Sequence, residues 1–149
     1  MTVKEYLNQI RALDKKIDQR IEEAAELRQI AFGIRSPDLS GDRVQTSPDP
    51  DKRSELVHKY IVLENRINEL IDQYVDMKNK IIGEIHALPD MRLSELLYLR
   101  YVKYMRIEEI ACTMKKTNGD AYSYQHILRL HGKALKCFGK KYGNAIAML

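Results

Sequence analysis

The sequence is poor in the residues that mark several common classes of protein. It has 2 Cys, no Trp and 2 Phe among 149 residues. Two cysteines cannot form a disulfide framework, and Cys112 and Cys137 lack the C-x-x-C spacing of a zinc or thioredoxin-type site, so a reducing compartment is favoured. Cys112 lies on the apolar flank of a short predicted helix, and we expect it to be a small buried hydrophobic residue.

Long apolar runs are also missing. No stretch without Asp, Glu, Lys or Arg exceeds eight residues, whereas a membrane-spanning helix needs about 20 apolar residues. Charged residues at Lys4, Glu5 and Arg11 interrupt any candidate signal peptide. We therefore expect a cytoplasmic protein without a membrane partner.

The charges are distributed unevenly along the chain. With 44% hydrophobic and 31% charged residues, the chain is apolar enough to fold, as one domain or two small ones. Residues 1–90 carry a net charge of −3, whereas residues 91–149 carry +7. The concentrated positive charge favours an anionic partner such as nucleic acid over a merely solubilising surface.

Two long heptad patterns dominate the first part of the chain. Over residues 3–34 and again over residues 56–88, apolar residues occupy all seam positions except those of Arg20 and Glu84. Such patterns predict two amphipathic helices of about 30 residues that form a coiled-coil seam. Arg20 and Glu84 are either a pair that sets the register or two charges that reach separately to solvent.

The connection between the two heptad patterns, at about residues 33–54, is rich in Pro, Gly, Asp and Ser and is predicted to be a loop. Helices of equal length favour an antiparallel hairpin. The loop is long enough that a parallel pair or an intermolecular bundle stays open. Pro89 ends the second helix and Asp90 can cap the next one. We therefore predict a coiled-coil domain over residues 1–89 and a second domain over residues 90–149.

The second domain is predicted to consist of short helices, the third of which begins at Ser123 as N-cap. On a helical wheel, its core face and its opposite face separate cleanly. The core face has Ile127, Leu130, His131, Ala134 and Phe138, and the opposite face has Gln125, Arg129, Gly132, Lys133 and Lys136.

The polar face has the chemistry needed by a helix in the major groove of DNA. Arginine can pair with guanine and glutamine with adenine, while lysine neutralises phosphate. Gly132 costs about 1 kcal/mol relative to alanine in an exposed helix interior. It is either incidental in a solvated basic helix or allows close approach to a sugar-phosphate strand.

These residues also carry a family resemblance. Three parts of the second domain resemble region 4 of the sigma-70 transcription factors. They are Leu99-Arg100-Tyr101, the run from Ile107 to Ala111, and Ser123 with Ile127 and the run from Lys133 to Leu135. The segments 6–10, 36–42 and 124–132 resemble a family of small proteins of unassigned function from phages and prophages of Gram-positive bacteria. That family is similar to phage late-gene activators of the autolysin-regulator type.

The resemblance implies a helix-turn-helix that binds double-stranded DNA, with host RNA polymerase as a further partner, in a bacterial cytoplasm. The residues to which it assigns DNA contacts are Ser123, Tyr124, Gln125, His126, Arg129, Lys133 and Lys136. The longer turn of this chain adds Lys115 and Lys116 near the expected phosphate strand. This chain departs from the sigma-like pattern in having Arg106 in place of a small hydroxyl residue. It also has eight residues, 115–122, where the family has a short turn.

An enzyme is the least favoured class, and no cofactor is expected. There is no Gly-rich phosphate loop, paired-carboxylate motif or nucleophile elbow. His126 and His131 are five residues apart, about 140° on a helix, so they cannot easily share a metal ion. Acidic residues in the loop lack the ligand spacing of an EF-hand.

We therefore predict an all-α protein, with a long two-helix coiled-coil hairpin followed by a sigma region 4-like helix-turn-helix. The expected function is phage or prophage transcription regulation by DNA binding, with the coiled coil forming a homodimer or contacting polymerase. The alternative is a protein that does not bind DNA. It would use the coiled coil to bind RNA polymerase, a sigma factor or a host defence protein.

Overall fold

The computed structural model describes residues 1–33 and 49–148, and the described chain is all-α, as predicted. The helices are α1 (Val3–Phe32), α2 (Pro50–His86), α3 (Met91–Leu97), α4 (Ile107–Thr113) and α5 (Tyr124–Ala147), and a π-helical segment, Tyr98–Val102, continues α3. Within the described residues, no helix is both long enough and apolar enough to cross a membrane.

Helices α1 and α2 carry the two heptad patterns, except that Leu88, the last position of the second pattern, lies just beyond the end of α2. Every seam position that the structure describes is buried or half-buried, which confirms the predicted apolar stripes. Ile34, the last position of the first pattern, and the loop segment 36–42 of the family resemblance lie outside the described residues.

Helix α2 begins earlier than the sequence analysis expected. Residues 50–54, assigned there to the loop, are helical. The side chain of Asp49 accepts a hydrogen bond from the backbone N–H of Asp51 at 3.1 Å, and Pro50 occupies the first helical position. Proline is favourable there because its missing N–H would have no partner in the first turn. Pro50 therefore marks the start of a helix and not the interior of a loop.

The chain divides into two compact units. The first unit combines Met1–Asp14 with Tyr74–Leu149, and the second is Lys15–Gln73. The border predicted at Pro89 lies inside the first unit. Residues from both ends of the chain share its core, including Leu7, Ile85 and Phe138, which are fully buried.

The start of α1 is tied to the end of α2 within the first unit. The hydroxyl of Tyr6 donates a hydrogen bond to Glu84 Oε2 at 2.8 Å. Burial, followed by this hydrogen bond, raises the pKa of the Tyr6 phenol. A contact between these two positions is the one expected of antiparallel helices in one chain. Arg20 pairs instead with Glu23, at 2.6 Å.

The second unit is formed by parts of α1 and α2. Phe32 packs its ring edge against Tyr60, with the ring centroids 5.9 Å apart. Several large apolar side chains of this unit are at least 38% exposed, namely Ile21, Ile30, Phe32, Ile61, Val62 and Ile71. The packing of α1 against α2 in this unit therefore leaves several large apolar side chains exposed.

Helix α3 and the π-helical segment lead to the C-terminal helices. Asp90 caps α3 as predicted, accepting a hydrogen bond from the N–H of Arg92 at 2.9 Å. The N–H of Lys103 then donates to the carbonyl of Tyr98 at 3.1 Å, five residues back. Such π-helical turns are rare and are often found at functional sites. This one determines where Arg100 and Tyr101 lie.

Candidate nucleic-acid interface

Helix α5 begins at Ser123, as predicted. The Ser123 hydroxyl accepts a hydrogen bond from the backbone N–H of His126 at 3.3 Å. An N-cap of this kind stabilises a helix by about 1 kcal/mol because it satisfies a donor of the first turn. The cap fixes the residue at which the helix starts and therefore which side chains face solvent.

The two faces of α5 match the helical wheel. Ile127, Leu130, Ala134 and Phe138 are buried in the core, and His131 is half-buried. The opposite face is exposed at every predicted position. We call this face the basic stripe, and it consists of Gln125, Arg129, Gly132, Lys133 and Lys136.

The basic stripe belongs to a helix with no carboxylate side chain. Between Tyr124 and Ala147, α5 carries Arg129 and four lysines but neither Asp nor Glu. Positions three and four residues apart lie side by side on a helix, so Arg129 is next to both Lys133 and Gln125. The stripe therefore presents hydrogen-bond donors and positive charge on a helix whose other face is fixed in the core.

The long turn before α5 is a small β-hairpin. Lys115 and Ala121 form an antiparallel bridge. Within it the N–H of Lys116 donates to the carbonyl of Asp120, and the N–H of Gly119 donates to the carbonyl of Lys116, both at 2.8 Å. Gly119 has φ +85°, the left-handed conformation that completes this type of three-residue turn and that glycine adopts without strain.

The hairpin is joined to the first turn of α5 by an aromatic stack. The rings of Tyr122 and His126 are nearly parallel, with centroids 5.2 Å apart, and Lys116 Nζ lies 5.8 Å from the centroid of the Tyr122 ring. The eight residues 115–122 therefore form an ordered extension beside the start of α5. One face of the His126 ring packs against Tyr122, so His126 is less free to contact a base than the sequence suggests.

The structure brings together only some of the predicted DNA-contacting residues. Gln125, Arg129, Lys133 and Lys136 share the basic stripe, while Lys116 and His126 meet at Tyr122. Tyr124, which is 47% exposed, lies on the flank of α5 about 100° from Gln125. Lys115 is exposed on the hairpin, and Ser123 serves as the cap.

Sequence reasoning missed Tyr122 and misplaced Cys112. Tyr122 joins the hairpin to α5, and its position directly before the cap residue was the available signal. Cys112 is exposed and not buried, so that prediction is wrong. The buried side of α4 is defined by Ile107, Ile110 and Ala111, and Cys112 points about 140°, 160° and 100° away from them on a two-turn helix.

A metal centre requires several ligand side chains close together. No group of three or more His, Cys, Asp or Glu side chains in residues 1–33 and 49–148 lies close enough to hold a metal ion.

Comparison of the chain with protein-family models, curated proteins and solved structures finds no match. Function depends on the chemistry of a site and not on the fold alone.

Proposed function

We propose that this protein is a phage or prophage transcription regulator that binds duplex DNA through α5. The observation that carries the proposal is the basic stripe, in which Gln125, Arg129, Lys133 and Lys136 are all exposed on a helix anchored in the core. The major groove of B-DNA is about 12 Å wide and admits an α-helix. The phage setting and the role in transcription rest on the resemblance to sigma region 4 and to phage late-gene activators.

The contacts divide by chemistry into base reading and phosphate binding. Arg129 and Gln125 can make bidentate hydrogen bonds with guanine and adenine. Lys133 and Lys136 are assigned to phosphates, which need less precise geometry. Lys115 and Lys116 on the hairpin add charge beside the first turn of α5 and would contact the neighbouring phosphate strand.

The proposal is tested by measuring the affinity of the intact protein for a pool of random duplex DNA at two salt concentrations, then sequencing the bound fraction. We expect tight binding that weakens with salt and enriches one motif. Changing Lys133 or Lys136 to Ala should lower the salt slope by about one unit each, with no change of motif. Lys16→Ala, at an exposed position of the second unit, is the matched control and should leave the slope unchanged.

Gly132 allows a second test, in which stability and DNA affinity are expected to change in opposite directions. A Cβ atom built at this position meets nothing within 4 Å, so Gly132→Ala should stabilise the protein by up to about 1 kcal/mol through helix propensity. The added methyl group should nevertheless weaken DNA binding if the sugar-phosphate strand approaches here. Thermal unfolding and DNA titration of the same variant measure the two effects.

Gly143, also on α5 with no atom within 4 Å of a built Cβ, provides the control. Gly143→Ala should bind DNA as the parent does. If Gly132→Ala is stabilised and its DNA affinity is unchanged, no strand approaches the helix at Gly132.

The second candidate function is an interaction protein, and the exposed apolar side chains of the second unit favour it. Ile30 is 68% exposed and Val62 53% exposed, as expected of a surface that binds RNA polymerase, a sigma factor or a host defence protein. A protein that binds no DNA even at low salt would favour this candidate over the regulator.

A further inference from the structure

The first unit contains a small pocket apart from the basic stripe. It encloses about 210 Å³, less than the roughly 300–1,000 Å³ of a site for a drug-sized ligand. Side chains from α1, the π-helical segment and α5 converge on it, and its polar lining consists of Lys4, Asn8, Arg11, Arg100, Tyr101 and His131. These residues are far apart in the sequence, and only the shared core brings them together.

The charge of the pocket is entirely positive. Lys4, Arg11 and Arg100 line it, its apolar members are Ile107 and Leu128, and no carboxylate is among its lining residues. Within residues 1–33 and 49–148, none of the three cations forms a salt bridge. Three unpaired cations around a partly enclosed space produce a positive potential that an anion would relieve.

The two arginines are held in place by the turn that follows the π-helical segment. Arg100 Nη1 donates a hydrogen bond to the carbonyl of Met105 at 2.8 Å, and the Arg11 guanidinium lies 5.7 Å from the centre of the Tyr104 ring. Tyr104 has φ 58°, a left-handed conformation that costs a non-glycine residue about 1–2 kcal/mol. Strain of this kind is concentrated at ligand-binding and catalytic sites.

His131 is half-buried and is one of the polar residues that line the pocket. Its Nε2 lies 3.1 Å from the hydroxyl of Tyr101, within hydrogen-bond distance. Burial, then Arg100 and Lys4, lower the pKa of His131. The charged and titratable groups that line the pocket with it are Lys4 and Arg11 from α1 and Arg100 and Tyr101 from the π-helical segment, while α4 contributes only Ile107.

We propose that this pocket binds a small oxyanion of the phosphate class. A phosphate monoester carries about −1.5 to −2 charges at neutral pH and so matches three cations better than a singly charged carboxylate does. Guanidinium groups suit it because their N–H donors fit the spacing of its oxygens. The phosphate belongs either to a free small molecule or to a DNA strand. A strand phosphate is a diester with one negative charge, but its oxygens accept the same hydrogen bonds from guanidinium groups.

Inorganic phosphate is the probe that tests the proposal with the intact chain and no DNA. It is titrated at constant ionic strength, with NaCl as the balancing salt, while NMR follows the imidazole signals. We expect the His131 signals to shift along a saturable curve and the pKa of His131 to rise as the anion binds. His58, exposed in the second unit, should show neither effect.

Arg11→Gln should weaken phosphate binding at least tenfold. Arg11 is exposed, so this variant should keep the fold, and the imidazole spectrum of the free protein checks that it does. Arg53→Gln makes the same change at an exposed position of the second unit and is the matched control, which should bind phosphate as the parent does. A shift of His131 that never saturates, or equal losses in the two variants, would overturn the pocket.

A repeat of the titration with bound duplex DNA distinguishes the two sources of phosphate. If the duplex displaces inorganic phosphate and Arg11→Gln also weakens DNA binding, a strand phosphate occupies the pocket. If phosphate binds equally well with and without the duplex, the occupant is a free phosphate-bearing molecule. Because the first titration contains no DNA, a protein that fails to bind DNA can still show this site.

Discussion

Replacing Phe138 with alanine is expected to lower the free energy of unfolding of the first unit by about 3–5 kcal/mol. Phe138 is fully buried, and its ring lies 6.3 Å from that of Tyr6 on α1 and 4.9 Å from that of Tyr142. Removing the ring leaves a cavity where α5 meets the start of α1. The loss would be a large fraction of the 5–15 kcal/mol that typically stabilises a domain.

Urea denaturation can measure the effect through the tyrosine fluorescence, because the chain has 9 Tyr and no Trp. Hydrogen exchange of the α5 amides identifies the part that opens. The only other phenylalanine of the chain, Phe32, is 46% exposed, so Phe32→Ala is a control of identical chemistry and should cost much less. Equal losses at the two positions would contradict the assignment of Phe138 to the core that supports α5.

Changing Arg129 to alanine is expected to weaken binding to the selected DNA motif by about 1–3 kcal/mol and to relax the preference at one base pair. Arg129 lies in the middle of the basic stripe, between Gln125 and Lys133, and its side chain is exposed. A bidentate contact to guanine is lost completely when the guanidinium is removed, whereas a phosphate contact would be lost without any change of preference.

The measurement is a comparison of affinities for the selected motif and for each of its single-base variants. Arg53→Ala removes an exposed arginine from α2 and should change neither affinity nor preference. If Arg129→Ala also leaves both unchanged, α5 is not the helix that reads DNA. A loss of affinity that is equal for every sequence would reassign Arg129 to a phosphate.

The features that sequence reasoning predicted correctly are local ones. The faces of α5 follow from a 3.6-residue period, and the caps at Asp90 and Ser123 follow from side-chain chemistry within three residues. The seam of α1 and α2 follows from a heptad pattern in the same way. Each depends on neighbours in the sequence and needs no knowledge of the tertiary fold.

The features that it missed depend on contacts between distant segments. One pocket is lined by Lys4, Arg11, Arg100 and His131. These residues lie on three segments that are far apart in the sequence, so no short motif could have linked them. A signal for the shared core did exist at Leu7, an apolar residue outside the two heptad columns that proves to be fully buried. An apolar residue beside the heptad columns widens the apolar face of the helix. A wider face indicates that the helix packs against another element besides its coiled-coil partner.

The start of α2 at Pro50 and the exposure of Cys112 illustrate a different source of error. Proline is typical of loops, although it is also favourable in the first turn of a helix. Cysteine is buried on average, but α4 has only seven residues and a narrow buried side. In both cases the position within the helix determined the outcome, and residue type alone was not sufficient.

The core of the first unit has a consequence for synthesis on the ribosome. Tyr6, Leu7 and Ile10 are buried against a cluster that includes Phe138, which is translated much later. At about 5–20 residues per second, roughly 6–26 s separate the emergence of Ile10 from that of Phe138. Before Phe138 emerges, Ile81 and Ile85 of α2 are the earliest members of that cluster available to cover this apolar segment, and chaperones that bind such segments have time to act.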